Sequence, residues 1–350
     1  MTSDRRIGPL RWRLCVAPMM GYTDRHFRHL LRSFSSNAVL YTEMVTSNAL
    51  IRRGAPLIEH DDQGHHTALQ IGGSDPDQLA ECARIAERAG YAEVNLNVGC
   101  PSPRVSKGRF GACLMAEPSL VRDCVLAMRA ACALPITVKC RLGIDDSDEP
   151  FLYRFTDALV DAVDALIVHS RIALLDGLTP EENREIPPLE YARTHALRQR
   201  HPDLVIVLNG GLNDIASVQP HLPLVDGVML GRAICANPRL LAHLDAVLFG
   251  SIVQNDAAIL TEYVQYMHEQ MRRGASFSAI ARRALGLFTG VPGARQFRRE
   301  VTRLCHQRCT EPDAMLEAAK HIELSEIGLA LRDAGAPSSD RREASRPFAV

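Results

Sequence analysis

Ile136-Thr137-Val138-Lys139-Cys140 is a short, β-branched, largely apolar run that carries a charged residue at its end. A run of this length and composition predicts a buried strand. Similar runs lie at Leu14–Pro18, Ala38–Thr42, Thr67–Ile71, Glu93–Asn97, Ala165–His169, Val205–Leu208 and Gly227–Leu230. Segments with helical periodicity separate them, such as Asp75–Ala89, where Asp75 is placed to cap a helix and Gly90 to stop it. Eight strand–helix alternations over about 240 residues predict the α/β class and a (β/α)8 TIM barrel. Strands that are apolar throughout fit a parallel sheet covered by helices. A doubly wound open sheet is the alternative, but no GxGxxG follows the first strand.

Beyond Asp245 the strand rhythm stops, and the sequence reads as helices interrupted by Thr289-Gly290-Val291-Pro292-Gly293. The expected organisation is therefore a barrel over 1–245, a C-terminal all-helical domain over 246–335, and a disordered tail over 336–350. With 46% apolar and 23% charged residues, the 350-residue chain is of ordinary globular composition, which excludes collagen-like and coiled-coil classes. No apolar run approaches the roughly 18 residues of a membrane span. Met1-Thr2-Ser3-Asp4-Arg5-Arg6 leads into no apolar signal core. A soluble, cytoplasmic protein is expected, with no membrane and no obligatory protein partner. The ten cysteines include no CxxC pair, so buried thiols are expected rather than a disulfide framework. Cys305 and Cys309 lack a second ligand pair in the sequence, and no metal site is assigned.

The net charge of −1 argues against a nucleic-acid partner, but its distribution argues for one. Between Met271 and Thr310 stand nine arginines (272, 273, 282, 283, 295, 298, 299, 303, 308) against one acid, Glu300. Such asymmetry marks either a polyanion-binding face or a solvated helical surface. Of the 40 basic residues only three are lysines, Lys107, Lys139 and Lys320, so each poses the question of what an ammonium does there that a guanidinium cannot.

Active residues of such barrels lie where the strands end. The predicted strand ends here read Pro18-Met19-Met20, Gln70, Asn95-x-Asn97-x-Gly99-Cys100-Pro101, Lys139, His169, Asn209-Gly210-Gly211 and Gly231-Arg232. Glycine turns after the seventh and eighth strands suit a phosphate, and Arg232 adds a fork-shaped cation. Lys139 is a surface charge, a Schiff-base nucleophile or a counter-ion for a bound anion. Beside a phosphate site, a flavin mononucleotide (FMN) is the anion that fits, because its reduced ring carries negative charge. His169 reads as a donor to the same group or as a satisfied buried histidine. Gln70 offers both donor and acceptor to a pyrimidine edge. Cys100, between Gly99 and Pro101, has no helper His or Asp beside it in sequence, so a thiol acting as an acid is favoured over a thiolate nucleophile.

Val16-Ala17-Pro18-Met19-Met20-Gly21-Tyr22-Thr23-Asp24, Asn95-Leu96-Asn97-Val98-Gly99-Cys100-Pro101-Ser102, Lys139-Cys140-Arg141-Leu142-Gly143 and Asn209-Gly210-Gly211 resemble the tRNA-dihydrouridine synthases. Within that family, residues 182–189 (Glu182 to Leu189) and 286–295 (Gly286 to Arg295) resemble the bacterial A subfamily. The resemblance implies an FMN-dependent barrel with a helical C-terminal domain that uses NADPH to reduce the C5–C6 bond of uridine in the tRNA D-loop, at positions 20 and 20a. It implies FMN held by Pro18, Met19, Met20, Gln70, Lys139, His169, Asn209, Gly210, Gly211, Gly231 and Arg232. It implies hydride delivery to C6 and a proton from Cys100 to C5, with Asn97 at the uracil and Asn183, Arg184, Arg295 and Arg298 on the tRNA. Where family members often carry a basic residue, this chain has Ile172, so no contact is assigned there. The rival readings are an FMN barrel acting on a free pyrimidine, which has no need of the basic helical region, and an RNA-binding scaffold without FMN.

Overall fold

A computed structural model of the chain describes residues 9–59, 66–148 and 150–322. Among the described residues nine strands are present: β1 (Leu14–Val16), β2 (Val39–Tyr41), β3 (Val45–Thr46), β4 (Thr67–Gly72), β5 (Glu93–Val98), β6 (Ile136–Arg141), β7 (Ala165–His169), β8 (Val205–Asn209) and β9 (Gly227–Leu230). All pairings are parallel. The ring closes through β9 on β1 and β2 on β4, so eight strands form the expected (β/α)8 barrel. The unexpected β3 continues along the edge of β4 beyond β2. The predicted cap of the helix Pro76–Arg88 is present, with the Asp75 side chain accepting from the Gln78 N–H.

Strand side chains alternate between two faces, and that period sorts the core. Leu14, Val16, Leu40, Leu208, Val228 and Leu230 pack outward against helices on one side, and Leu69, Val94, Leu96, Val138 and Val168 do so on the other. Their alternates fill the interior. Cys15, Ala17, Val39, Tyr41, Ile167, Val207 and Met229 make an apolar half, plugged from below by Trp12. Gln70, Glu93, Asn95 and Thr137, all buried, make a polar half.

Past β9 come helices at Arg239–Phe249, Asp256–Arg272, Phe277–Ala281, Ala294–His306 and Ala314–Ala318. Residue 245, expected as the domain boundary, lies inside the first of these, which ends at Gly250 in the left-handed conformation (φ 72°). The helices share one core with Phe27, Leu30 and Leu31 of the helix Arg25–Arg32. Polar ties reinforce the junction. His26 Nδ1 and Tyr266 Oη lie 2.7 Å apart, and Arg283 meets Asp24, the N-cap of that helix, at 2.7 Å. The expected tail at 336–350 lies outside the described residues.

Barrel closure requires Gly227, because a Cβ there would stand 1.9 Å from the Trp12 carbonyl oxygen and 2.7 Å from its carbon. Buried backbone cannot retreat as a side chain can. Gly227→Ala is therefore expected to destabilise the protein by at least about 3 kcal/mol, read as a lowered urea midpoint with unchanged m-value.

Candidate active site at the carboxyl ends of the strands

The residues expected at the strand ends converge on one mouth. Ala17 N–H donates to Leu230 O (2.8 Å), which carries Pro18 and Met19 across to the end of β9. A Cβ on Gly231 would meet the Met19 sulfur at 3.3 Å. Met19 itself is held by its N–H donating to Thr23 Oγ1 (2.9 Å), while Met20, one residue on, is 65% exposed. On the opposite wall Asn97 pairs with Lys139, and Gly99 packs on the backbone of Lys139 and Cys140. That contact sets the half-buried Cys100 against the end of β6.

The glycine turns are built as a cradle. Gly210 (φ 113°) and Gly211 (φ 68°) adopt left-handed conformations that side chains disfavour. A Cβ on Gly210 would meet the His169 ring at 2.7 Å, and one on Gly211 would meet Tyr191 Oη at 2.7 Å. Tyr191 in turn donates to Gly210 O (2.8 Å) and fixes the turn from behind. Asn209 Nδ2 donates to Met229 O (2.7 Å), which locks β8 to β9 beneath the turn. Arg232 reaches out from the Gly231 turn and pairs with Glu185 at 2.6 Å, both side chains being largely exposed.

Cations dominate the mouth. Burial and the neighbouring Arg141 pull the Lys139 ammonium down to about 7. Burial lowers the Arg141 guanidinium to about 10, which leaves it charged at neutral pH. His169 is driven well below its ordinary range by burial, with Arg141 and Lys139 adding to the effect, and is therefore neutral. Arg184 is lowered by burial and by Arg232, and both it and Arg141 feel the Cys100 thiol. Among the described residues no carboxylate pairs with Lys139.

Arg141 was not expected here. It lies two residues past Lys139 on the same face, and its Nε donates to Gly99 O (3.2 Å) while Nη1 donates to Asn183 O (2.9 Å). One guanidinium thus staples the Cys100 loop to the loop after β7. Asn183, expected on the RNA, is fully buried instead. Its Oδ1 accepts from Leu174 N–H (2.8 Å) and its Nδ2 donates to Leu174 O (2.9 Å), so it folds its own loop and presents nothing to a ligand. Ile172 packs against the outer core. Arg295 and Arg298 stand on the helix Ala294–His306 outside its buried face of Ala294, Phe297, Val301, Leu304 and Cys305. No helix among the described residues is long and apolar enough to cross a membrane, and no cluster there could hold a metal ion.

The lowered Lys139 has a consequence for stability. Between about pH 7 and its ordinary value near 10.5, the unfolded chain holds a proton that the folded chain has released. Stability of the ligand-free protein should therefore rise with pH across that window, by on the order of a few kcal/mol. The difference between wild type and Lys139→Met in urea unfolding at pH 6.5, 8 and 9.5 checks it. The expected result is a slope in the wild type that the variant lacks.

Residues 15–323 match the family described as dihydrouridine synthase. A Vibrio cholerae protein named tRNA-dihydrouridine(20/20a) synthase is 43% identical over 322 residues, covering 91% of this chain and 98% of its own. Proteins of the same name from Yersinia pestis and Escherichia coli K12 are 47% and 44% identical, covering 84% and 89% of this chain and 87% and 91% of theirs.

Proposed function

Because the chain belongs to the dihydrouridine synthase family, we propose that it reduces uridine to 5,6-dihydrouridine in the D-loop of tRNA, at positions 20 and 20a, with FMN as cofactor and NADPH as reductant. The observation that carries this reading is the mouth itself. A thiol, an ammonium with no acid partner among the described residues and a glycine turn meet at the carboxyl ends of the strands. Relatives matched over nearly their whole length bear this activity in their names.

The residues fit FMN. The glycine turn after β8 is packed so closely that a Cβ at Gly210 or Gly211 would strike His169, Leu189 or Tyr191, and bare glycine backbone of this kind suits phosphate oxygens approaching N–H groups. Lys139 and neutral His169 line the mouth beside it, the first as a counter-ion and the second as a hydrogen-bond partner. Gln70 faces the same interior from β4, and Pro18, Met19 and Met20 supply an apolar edge. Arg232 exchanges Glu185 for phosphate at small cost, because an exposed ion pair contributes only about 1 kcal/mol or less.

When bound and reduced, the flavin supplies the hydride that C6 of the uracil accepts. Cys100 holds the proton on Sγ and gives it to C5, so one C–H bond forms at each carbon as the double bond is lost. The thiolate left behind stands among Lys139, Arg141 and Arg184, which stabilise it until solvent returns a proton. Asn97 orients the base. The target uridine must be extruded from the folded RNA, at a cost of a few kcal/mol, which phosphate contacts offset. We assign those contacts to Arg184 at the mouth and to the helical domain, Arg295 and Arg298 included. A tRNA substrate fits a cytoplasmic location.

Cys100→Ala should leave flavin reduction by NADPH intact and slow dihydrouridine formation at least about a hundredfold. Stopped-flow bleaching of the flavin, followed by oxidation on mixing with tRNA, separates the two half-reactions; equal turnover would remove Cys100 as the acid. Arg295→Ala with Arg298→Ala should weaken tRNA binding and reduce the slope of log affinity against log salt by about two. Fluorescence titrations from low to moderate salt read that slope, and an unchanged value would put the RNA elsewhere.

A further inference from the structure

A file of side-chain hydrogen bonds runs up the polar half of the barrel interior and ends at the cysteine loop. The backbone N–H groups of Cys100 (3.0 Å) and Gly99 (3.2 Å) both donate to Asn97 Oδ1. Asn97 Nδ2 donates to Gln70 Oε1 (2.9 Å), and Gln70 Nε2 donates to Asn95 Oδ1 (2.8 Å). Asn95 Nδ2 donates to Thr137 Oγ1 (2.8 Å), whose own hydrogen goes to Glu93 Oε1 (2.5 Å). Glu93, Asn95 and Thr137 are fully buried, and Gln70 nearly so. Parallel register sets the rungs, since Gln70 is paired with Asn95 and Asn95 with Thr137 across β4, β5 and β6.

The direction of this file is fixed at its upper end. Backbone N–H groups can only donate, so the Asn97 amide must turn its oxygen to the cysteine loop and its nitrogen to Gln70. That choice propagates through Gln70 and Asn95 to Thr137. At the base Glu93, whose carboxyl burial pushes above its ordinary range, accepts from Trp12 Nε1 (2.7 Å) and Tyr41 Oη (2.7 Å) as well as from Thr137. Every link then polarises the next in the same sense. Two donors already occupy Asn97 Oδ1, so Asn97 is left with one N–H for a ligand. A carbonyl oxygen takes that hydrogen; an amino group does not.

We propose that Glu93, Thr137 and Asn95 are positioning residues that hold the amides of Gln70 and Asn97 in one orientation, with Asn97 facing the base as a hydrogen-bond donor. The proposal rests on the flavin and uracil roles given above to Gln70 and Asn97. It adds that those roles are set from the far end of the barrel, by residues that touch neither ligand.

Thr137→Val keeps the shape and removes the hydroxyl, which strands the Asn95 Nδ2–H and frees Asn95 to turn. Two readouts follow it: hydrogen exchange of the Gly99 and Cys100 amides in the ligand-free protein, and FMN affinity of the apoprotein by fluorescence. Both should change about tenfold, exchange becoming faster and binding weaker, as for one lost hydrogen bond. Thr137→Ser should restore both. Tyr41→Phe removes a Glu93 donor that lies outside the file, so it should lower the melting temperature and leave both readouts unchanged. If Thr137→Val does not accumulate folded, Asn95→Leu breaks the file one link higher and should give the same two changes. A fall in melting temperature with neither readout moved, or equal effects from Tyr41→Phe, would overturn the proposal. Should the wild-type protein bind no FMN, the proposed function fails, and the exchange measurement still decides whether the file holds the loop.

Discussion

Lys139 and Arg141 project from alternate positions of one strand into one mouth, and burial disfavours both charges. Two like charges so close cost free energy in the ligand-free protein, and among the described residues no carboxylate joins Lys139 to relieve it. An anion bound there converts the repulsion into attraction and lets Lys139 regain its proton. The surrounding structure adds no further positive charge, since His169 stays neutral beside the left-handed glycine turn that follows β8.

Such an arrangement is possible because the barrel interior is divided. An apolar half from β1, β2, β7, β8 and β9 packs as an ordinary core, while β4, β5 and β6 carry amides, a hydroxyl and a carboxylate inward. Buried polar groups are costly when unsatisfied, so the polar half is stable only as a completed network. Glu93 closes that network at the base, accepting from Trp12, Tyr41 and Thr137. The same strands bear Asn97 and Lys139 at the top, so the chemistry stands on rigid elements rather than on loops.

The barrel was legible because its strands are short apolar runs in a fixed rhythm, and all eight are found. β3 was not, since two residues have no period to read. The strand ends were legible as a set, whereas Arg141 escaped because β6 runs one residue beyond the expected Cys140. Its signal was present: 137, 139 and 141 share one parity, as do 93, 95 and 97. Asn183 shows the opposite failure. An asparagine that saturates itself on its own loop and one that faces a ligand look alike in sequence, and only the contacts with Leu174 separate them. The boundary at 245 fell within a helix because the change from strands to helices is gradual: Arg239–Phe249 covers the barrel and opens the helical region at once.

The junction of the two regions bears on how an RNA could be registered over the mouth. Arg283 belongs to the basic segment, yet it is spent on Asp24 and on Gly21 O rather than on solvent. Gly21 is in the turn that follows Met19 and Met20, and its N–H donates to Glu43. The turn is therefore held from the barrel by one carboxylate and from the helical region by one guanidinium. The shared apolar core of Phe27, Leu30, Tyr263 and Ile280 leaves little freedom for either side to rock against the other. Phosphates gripped by arginines on the helix Ala294–His306 would then have a fixed offset from Met19 and the mouth. A rigid offset of this kind confines the mouth to one short stretch of a folded RNA, without any contact to the sequence of the bases.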